Sequence, residues 1–412
     1  MNFSSIFLRF SRKFARISVQ GRLKVRKGLA KAYFGLPWQT GSNPRKRIRS
    51  IPECCQRVET LGLLMEVKTG HDEFALVQHH ESYQRILPSG MAPGAQDRFS
   101  EGIDQYQGGC TFQAPDVLLA RMHRALVYSK DALVMNRHRD ILWESALSKT
   151  EVLEKNGILD QLTKPRALPV AGTYALLSHP WAFGYYHWLL EILPRLAYLE
   201  PVMKHSANLR LIVPHPLNRF QRESLILSGI AAESLVPFDG KCWEVEELYF
   251  ASMPAPTGNP SPRAVEWLRQ AFLPPAPNPT LPTGHSGRKL YLSRRDAPQR
   301  RLLNEAEISC FLQEQGFEIL CAGEYSFEQQ VAIFSEAACV IAPHGAAVSN
   351  MAFAPRQTPL IELFGENYLN GCYWALANIL DQPYGCVIGQ CTGLDYEVSL
   401  NELKQVMLQL GL

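Results

Sequence analysis

From about residue 170 onward, apolar residues alternate between short continuous runs and helical stripes. Leu209–Val213 and Leu248–Ala251 read as strands, and Arg219–Leu227 reads as a helix that ends before Gly229. Beyond residue 287 the alternation is regular. Strands are predicted at Lys289–Ser293, Phe317–Cys321, Cys339–Ala342, Pro359–Phe364 and Tyr384–Ile388. Helices are predicted at Glu305–Gln315, Phe327–Ala337, Ala346–Phe353, Leu369–Leu380 and Leu400–Leu410. Strands separated by helices imply a parallel sheet covered on both faces. Such sheets bind ligands beyond the carboxyl ends of their strands. Residues 51–165 are less regular. Short apolar runs such as Phe74–Val77 and Leu118–Ala120 sit among Gly, Pro and polar residues and predict short strands and loops.

Residues 254–287 interrupt the pattern with nine prolines around one helical island, Ala264–Phe272. This is the clearest linker in the chain. A chain of 412 residues exceeds one ordinary hydrophobic core. The pattern therefore predicts two α/β lobes with a cleft between them, an amino-terminal one over 51–253 and a carboxyl-terminal one over 288–412. Residues 1–50 form a separate head. On a helix, Phe3, Ile6, Phe7, Phe10, Phe14 and Ile17 fall within an arc of about 100°, with Arg9, Arg12, Lys13 and Arg16 opposite. That suits a helix lying in an anionic membrane interface. It also suits a helix docked on the folded body, or an arm for a nucleic acid or protein partner. Gly35, Pro37, Gly41 and Pro44 read as a linker.

Charge sharpens this division. The first 50 residues hold thirteen Lys or Arg and no acid, whereas the other 362 carry 29 basic and 39 acidic side chains, a net of −10. Basic character thus belongs to the head alone, which disfavours a general nucleic-acid surface. No apolar run reaches the roughly 18 residues that span a bilayer, and the start lacks a secretory cleavage pattern. The ten cysteines show no C-x-x-C spacing, and they read as reduced and buried in a cytosolic protein.

Four clusters can carry chemistry. In Gly184–Arg195, His187 and Glu191 are one helical turn apart, so a carboxylate would orient an imidazole and raise its basicity, as a general base requires. The same spacing fits a surface pair with no duty. Pro194 is expected to bend or end this helix. Ser293-Arg294-Arg295, with Arg300, Arg301, Asn304 and Glu305 beyond, lies after a predicted strand. Forked guanidinium groups there suit a diphosphate, though a solvated basic loop has the same composition. Ala342 to Asn350 runs from a strand through His344-Gly345-Ala346-Ala347 into a helix, where small residues and free N–H groups favour phosphate. Glu362, inside an apolar strand, could accept from ribose hydroxyls or pair with one of the arginines. The G-x-G-x-x-G fingerprint is absent, which counts against a dehydrogenase.

Taken in order, these segments resemble glycosyltransferase family 61. The resemblance rests on Tyr185-Tyr186-His187-Trp188 through Leu193-Pro194-Arg195-Leu196, Leu292-Ser293-Arg294 with Arg301 and Asn304-Glu305, and Gly316-Phe317-Glu318. Gln330, Phe334 and Ala337 continue it, followed by His344-Gly345-Ala346-Ala347, Asn350 and Glu362. The resemblance covers roughly residues 170–370. It implies a GT-B architecture of two Rossmann-like lobes, an amino-terminal acceptor side and a carboxyl-terminal nucleotide-sugar side. It further implies an inverting glycosyltransferase of bacterial type, acting in capsular or other surface polysaccharide synthesis. His187 and Glu191 are then the expected catalytic pair. Arg294, Arg295, Arg301, His344, Gly345 and Ala346 are expected on the diphosphate, with Asn350 and Glu362 at the nucleoside. No D-x-D motif occurs in the carboxyl-terminal lobe, so no obligatory metal and no cofactor are expected. Expected partners are a nucleotide-sugar donor, a glycan or lipid-linked acceptor and, through residues 1–34, an anionic membrane surface, but no nucleic acid. The expected place is the cytoplasmic face of the inner membrane. The alternative is a membrane-associated scaffold that keeps the fold without activity.

Overall fold

The computed structural model describes residues 48–66, 70–146, 166–274 and 287–412. The basic head up to residue 47 and the Pro-rich stretch 275–286 lie outside the described residues. So does the membrane-interface helix expected over residues 1–34. Among the described residues no helix is long and apolar enough to cross a membrane.

In chain order the strands of the first half are β1 (Ile48–Arg49), β2 (Gln56–Arg57), β3 (Glu73–Gln78), β4 (Glu81–Gln84), β5 (Gly90–Met91) and β6 (Thr111–Ala114). They continue with β7 (Val117–Tyr128), β8 (Leu133–Met135), β9 (Ile141–Leu142), β10 (Leu168–Leu176), β11 (Arg210–Val213), β12 (Leu235–Pro237) and β13 (Trp243–Ala251). The first sheet is mixed. A parallel group ordered β13-β10-β11-β12 is extended from β13 by antiparallel β7 and β8. The second sheet uses β14 (Arg288–Leu292), β15 (Glu318–Leu320), β16 (Ala337–Pro343), β17 (Leu360–Gly365), β18 (Tyr384–Thr392) and β19 (Asp395–Glu397). Its parallel core runs β15-β14-β16-β17-β18. β16 and β17 are buried almost throughout, as strands covered on both faces must be.

The helices that matter below are α1 (Ala95–Gln107), α2 (Leu196–His205), α3 (Arg219–Leu227), α4 (Pro262–Phe272), α5 (Glu305–Glu314), α6 (Phe327–Ser335), α7 (Cys372–Ile379) and α8 (Leu400–Gln409). Their ends follow local chemistry. Asn218 opens α3 with a capping box to Gln221, and Gly229 at φ +84° closes the turn after it. Ser326 and Gln329 cap α6 reciprocally.

Three expectations change. Segment 90–107, assigned to the first lobe from sequence, lies on the second sheet. There β5 pairs with β18, and Phe99 of α1 packs against Phe364, Trp374 and Tyr384. The two sheets also share one buried cluster, with Leu189, Leu193 and Leu211 on one side and Leu290, Val340 and Phe364 on the other. Residues 48–412 accordingly form one compact unit. Finally, Pro194 does not end its helical segment but makes it irregular, sitting in a 3-10 turn, Leu193–Arg195. Trp188–Ile192 widens into a π-type turn in which the Leu193 N–H reaches Trp188 O, and helix resumes through α2. The wider turn accommodates the donor that proline lacks.

Each sheet has one topological switch point. β10 leads to β11 on one side and borders β13 on the other, so the loops after Leu176 and Ala251 diverge at their shared carboxyl edge. β14 stands likewise between β15 and β16, where the loops after Leu292 and Pro343 part. Crevices of this kind are where open α/β sheets bind ligands.

Candidate active site

The loop after β10 carries His187 and Glu191, and the loop after β13 carries Thr257 and Gly258. His187 Nδ1 lies 2.7 Å from Glu191 Oε2. An ionised carboxylate can only accept, so this bond puts the proton on Nδ1 and leaves the Nε2 lone pair available. Glu191 Oε1 accepts from the Thr257 hydroxyl and the Gly258 N–H, both at 2.8 Å. The His187 side chain is 28% exposed and that of Glu191 only 3%, so the ring can meet a ligand while its carboxylate is shielded. Trp181 lies 4.9 Å from the His187 ring, centroid to centroid.

Thr257 and Gly258 belong to Pro256-Thr257-Gly258-Asn259, a turn closed by Asn259 N–H to Pro256 O at 3.0 Å. Gly258 sits at φ +85°, the position of a type II turn that favours glycine. The sequence reading placed this turn in a linker and missed it. The P-T-G-N string was its only signal.

At the second switch point, the Arg294 guanidinium lies against Gly345. A Cβ at Gly345 would stand 1.9 Å from Arg294 Nη1, so only glycine permits this approach. Burial, followed by the nearby Arg300 cation, pushes the Arg294 pKa down. Arg300 lies over the Tyr368 ring at 4.8 Å and holds φ +56°, an uncommon conformation for a side-chain-bearing residue. Among the described residues neither Arg294 nor Arg300 pairs with a carboxylate. Arg295 and Arg301 do. Arg295 bonds Glu324 at 2.7 Å, and Arg301 grips Asp395 through Nε at 3.0 Å and Nη2 at 2.8 Å. These two face outward in ion pairs, and Arg300 stands beside Arg294 in their stead. Glu305 secures the loop by accepting from Arg294 N–H at 3.0 Å.

His344 is bonded through Nδ1 to Glu362, whose other oxygen accepts from Tyr384 at 2.6 Å. Glu362 is wholly buried, and both of its oxygens are engaged. It backs His344 and has no oxygen turned toward a ribose. Asn350 is buried too. It accepts from Tyr185 at 2.6 Å and donates to Gln330 at 2.8 Å, tying the His187 segment to the second sheet. Ala346 is exposed at the rim, and the predicted helix there is a seven-residue 3-10 turn, Ala346–Ala352.

A chain of ring contacts links the two His–Glu pairs. Tyr186 touches His187 at 5.3 Å and Tyr373 at 5.6 Å, and Tyr373 touches His344 at 5.4 Å, between ring centroids. Burial drives the Cys372 pKa up, followed by the charges of Glu362 and Glu191. Deeper still, His179 is fully buried, with both ring nitrogens unbonded among the described residues, and burial, then Arg195 and His187, hold its pKa well below 6.5. Arg195, pushed down to about 9 by burial, bonds Ala251 O at 2.5 and 3.0 Å. Periodicity cannot single out His179, because it stands alone in a turn.

The His187–Glu191 pair thus stands at one switch point, and Arg294 and Arg300, without a carboxylate partner among the described residues, stand at the other. The model of the family Glycosyltransferase 61 matches residues 185–361, from the His187 segment to β17, and over that stretch the chain is similar to the family. The match supports glycosyltransferase activity. No curated protein matches the chain.

Proposed function

We infer that this protein is an inverting glycosyltransferase of GT-B type. A nucleotide-sugar would lie on the second sheet and a hydroxyl acceptor on the first. The observation that carries this reading is the pair Arg294 and Arg300 at the β14–β16 switch point, without a carboxylate partner among the described residues, with His344 beyond it linked through Tyr373 and Tyr186 to the His187–Glu191 pair. Two repelling cations are relieved by a dianionic diphosphate between them, and forked donors match its oxygens.

In the proposed reaction the acceptor hydroxyl gives its proton to His187 Nε2 as its oxygen attacks the anomeric carbon. The bond from that carbon to the diphosphate breaks, its electron pair leaves on phosphate, and configuration inverts. Arg294, Arg300 and His344 stabilise the departing charge, with Gly345 and Ala346 leaving room for it. The two guanidinium groups supply the charge that a metal provides elsewhere, so no obligatory metal is proposed. The acceptor is a glycan or lipid-linked saccharide of a surface polysaccharide. Residues 1–34 would hold the enzyme on the cytoplasmic face of the inner membrane.

A thermal-shift screen with uridine, guanosine, cytidine and adenosine diphosphates tests the donor site. At about a hundredfold excess over Kd, a true ligand adds about 2.7 kcal/mol, a rise of several degrees in Tm. Arg294→Ala and Arg300→Ala should each weaken that binding about 10- to 100-fold, the range for charge-assisted bonds, whereas Arg301→Ala should leave it unchanged. Indifference of the wild type to every nucleotide would refute the donor site and favour an inactive scaffold.

A further inference from the structure

We propose that Arg85 is a positioning residue for the His187–Glu191 pair, acting through Asn259. This rests on the reading of His187 as the base. Arg85 follows β4, which forms a two-stranded ribbon with β6, and it is buried. Its guanidinium lies 4.2 Å from the Phe112 ring centroid and 5.5 Å from that of Trp374. Among the described residues no carboxylate neutralises it. Its donors go to neutral acceptors: Asn259 Oδ1 at 2.8 Å, Gln107 O at 3.2 Å and the Tyr83 hydroxyl at 3.3 Å.

Removing a cation from water without a counter-ion is costly, so a guanidinium held this way needs an explanation beyond packing. Asn259 supplies one. It is the last residue of the turn whose second and third residues hold Glu191, and its side chain is fixed by Arg85. The Tyr83 hydroxyl donates to Pro260 O at 3.2 Å, gripping the chain one residue further on. Gln107, whose carbonyl bonds Arg85, donates through Nε2 to Asn370 Oδ1 at 2.7 Å and accepts from Gly371 N–H at 2.9 Å. The turn under Glu191 is thereby anchored to the second sheet.

A carboxylate bonded from one side by a hydroxyl and an amide keeps its other oxygen aimed at Nδ1 only while the turn is fixed. Loss of the Arg85–Asn259 bond frees the turn, lets Glu191 rotate and lets the His187 proton redistribute between its nitrogens. Arg85 touches neither His187 nor the site's open face, so the effect reaches the ring through Asn259, Thr257 and Gly258.

The test is the tautomer of His187 in the full chain labelled with nitrogen-15 in its histidine rings, with the resonance assigned by His187→Asn. Wild type should show a protonated Nδ1 and a bare Nε2. Arg85→Met and Asn259→Ala should lose that pattern and give averaged ring-nitrogen shifts, as Glu191→Ala should. Asn259→Asp, which keeps an acceptor for Arg85, should restore it. A wild-type pattern in Asn259→Ala, or an averaged one in Asn259→Asp, overturns the proposal even where Arg85→Met fails to fold. A wild type protonated at Nε2 would overturn the base reading along with it, whereas a normal wild type with unaffected variants overturns this inference alone.

Discussion

His187 offers one open nitrogen to solvent and one bonded to a shielded carboxylate. His187→Ala should therefore lower kcat by about 10²- to 10⁴-fold, the usual contribution of a general base. Nucleoside diphosphate affinity should be unchanged in calorimetry; equal loss of both would contradict the role. His179 bears on stability instead. Its depressed folded pKa means that below about pH 6.5 the unfolded chain binds a proton that the folded one refuses. Stability is then complete above that pH and falls by up to about 1.4 kcal/mol per unit as pH drops toward the depressed value. His179→Leu should flatten the pH dependence of urea unfolding between pH 7.5 and 5.5, and parallel curves for the two proteins would sink the assignment. At this scale the sequence displayed which residue types were present but not how they pair. Arg294, Arg295, Arg300 and Arg301 look alike in a string. Their sorting depends on Glu324 and Asp395, brought in from elsewhere in the chain by β15 and β19.

Elements place those side chains, and here glycine is decisive at one turn. Gly258 at φ +85° presents its N–H and the Thr257 hydroxyl to one oxygen of Glu191. Gly258→Ala places a Cβ in the left-handed region at a cost of about 1–2 kcal/mol. It should lower Tm by a few degrees and kcat more than donor affinity. A stability loss with kcat intact would show that the turn merely folds the chain. The helices and parallel strands after residue 287 were readable because their apolar periods are long and unbroken. Cys372–Ile379 began later than predicted, since Asn370 and Gly371 form a turn held by Gln107, a tertiary contact with no local signature. The Pro194 segment misled for a similar reason. Proline's missing donor predicts a bend or an end, and the segment does not end: it passes through a π-type and a 3-10 turn, while Trp188, Leu189, Ile192 and Leu193 stay buried in the core.

The whole molecule departs most from the picture of two independent lobes. Strand–helix alternation marks the second sheet correctly, yet it cannot show that residues 84–108, from a stretch of irregular pattern, complete that sheet's face. Phe99 fills the space between Phe364, Trp374 and Tyr384, β5 covers the β18 edge, and Ile86 O accepts from Trp374 Nε1 at 2.7 Å. A carboxyl-terminal fragment of residues 287–412 would expose this aromatic cluster and leave an indole donor unpaired. Burial of Phe99 alone is worth roughly 1.5–3 kcal/mol, and total domain stability is only about 5–15 kcal/mol. The fragment should therefore melt without a sharp transition by circular dichroism and show little fixed near-ultraviolet signal. Joining residues 84–108 to it through a flexible linker should restore both. A fragment that melts cooperatively by itself would mean that the second sheet is an independent lobe after all, with α1 only an attachment to it.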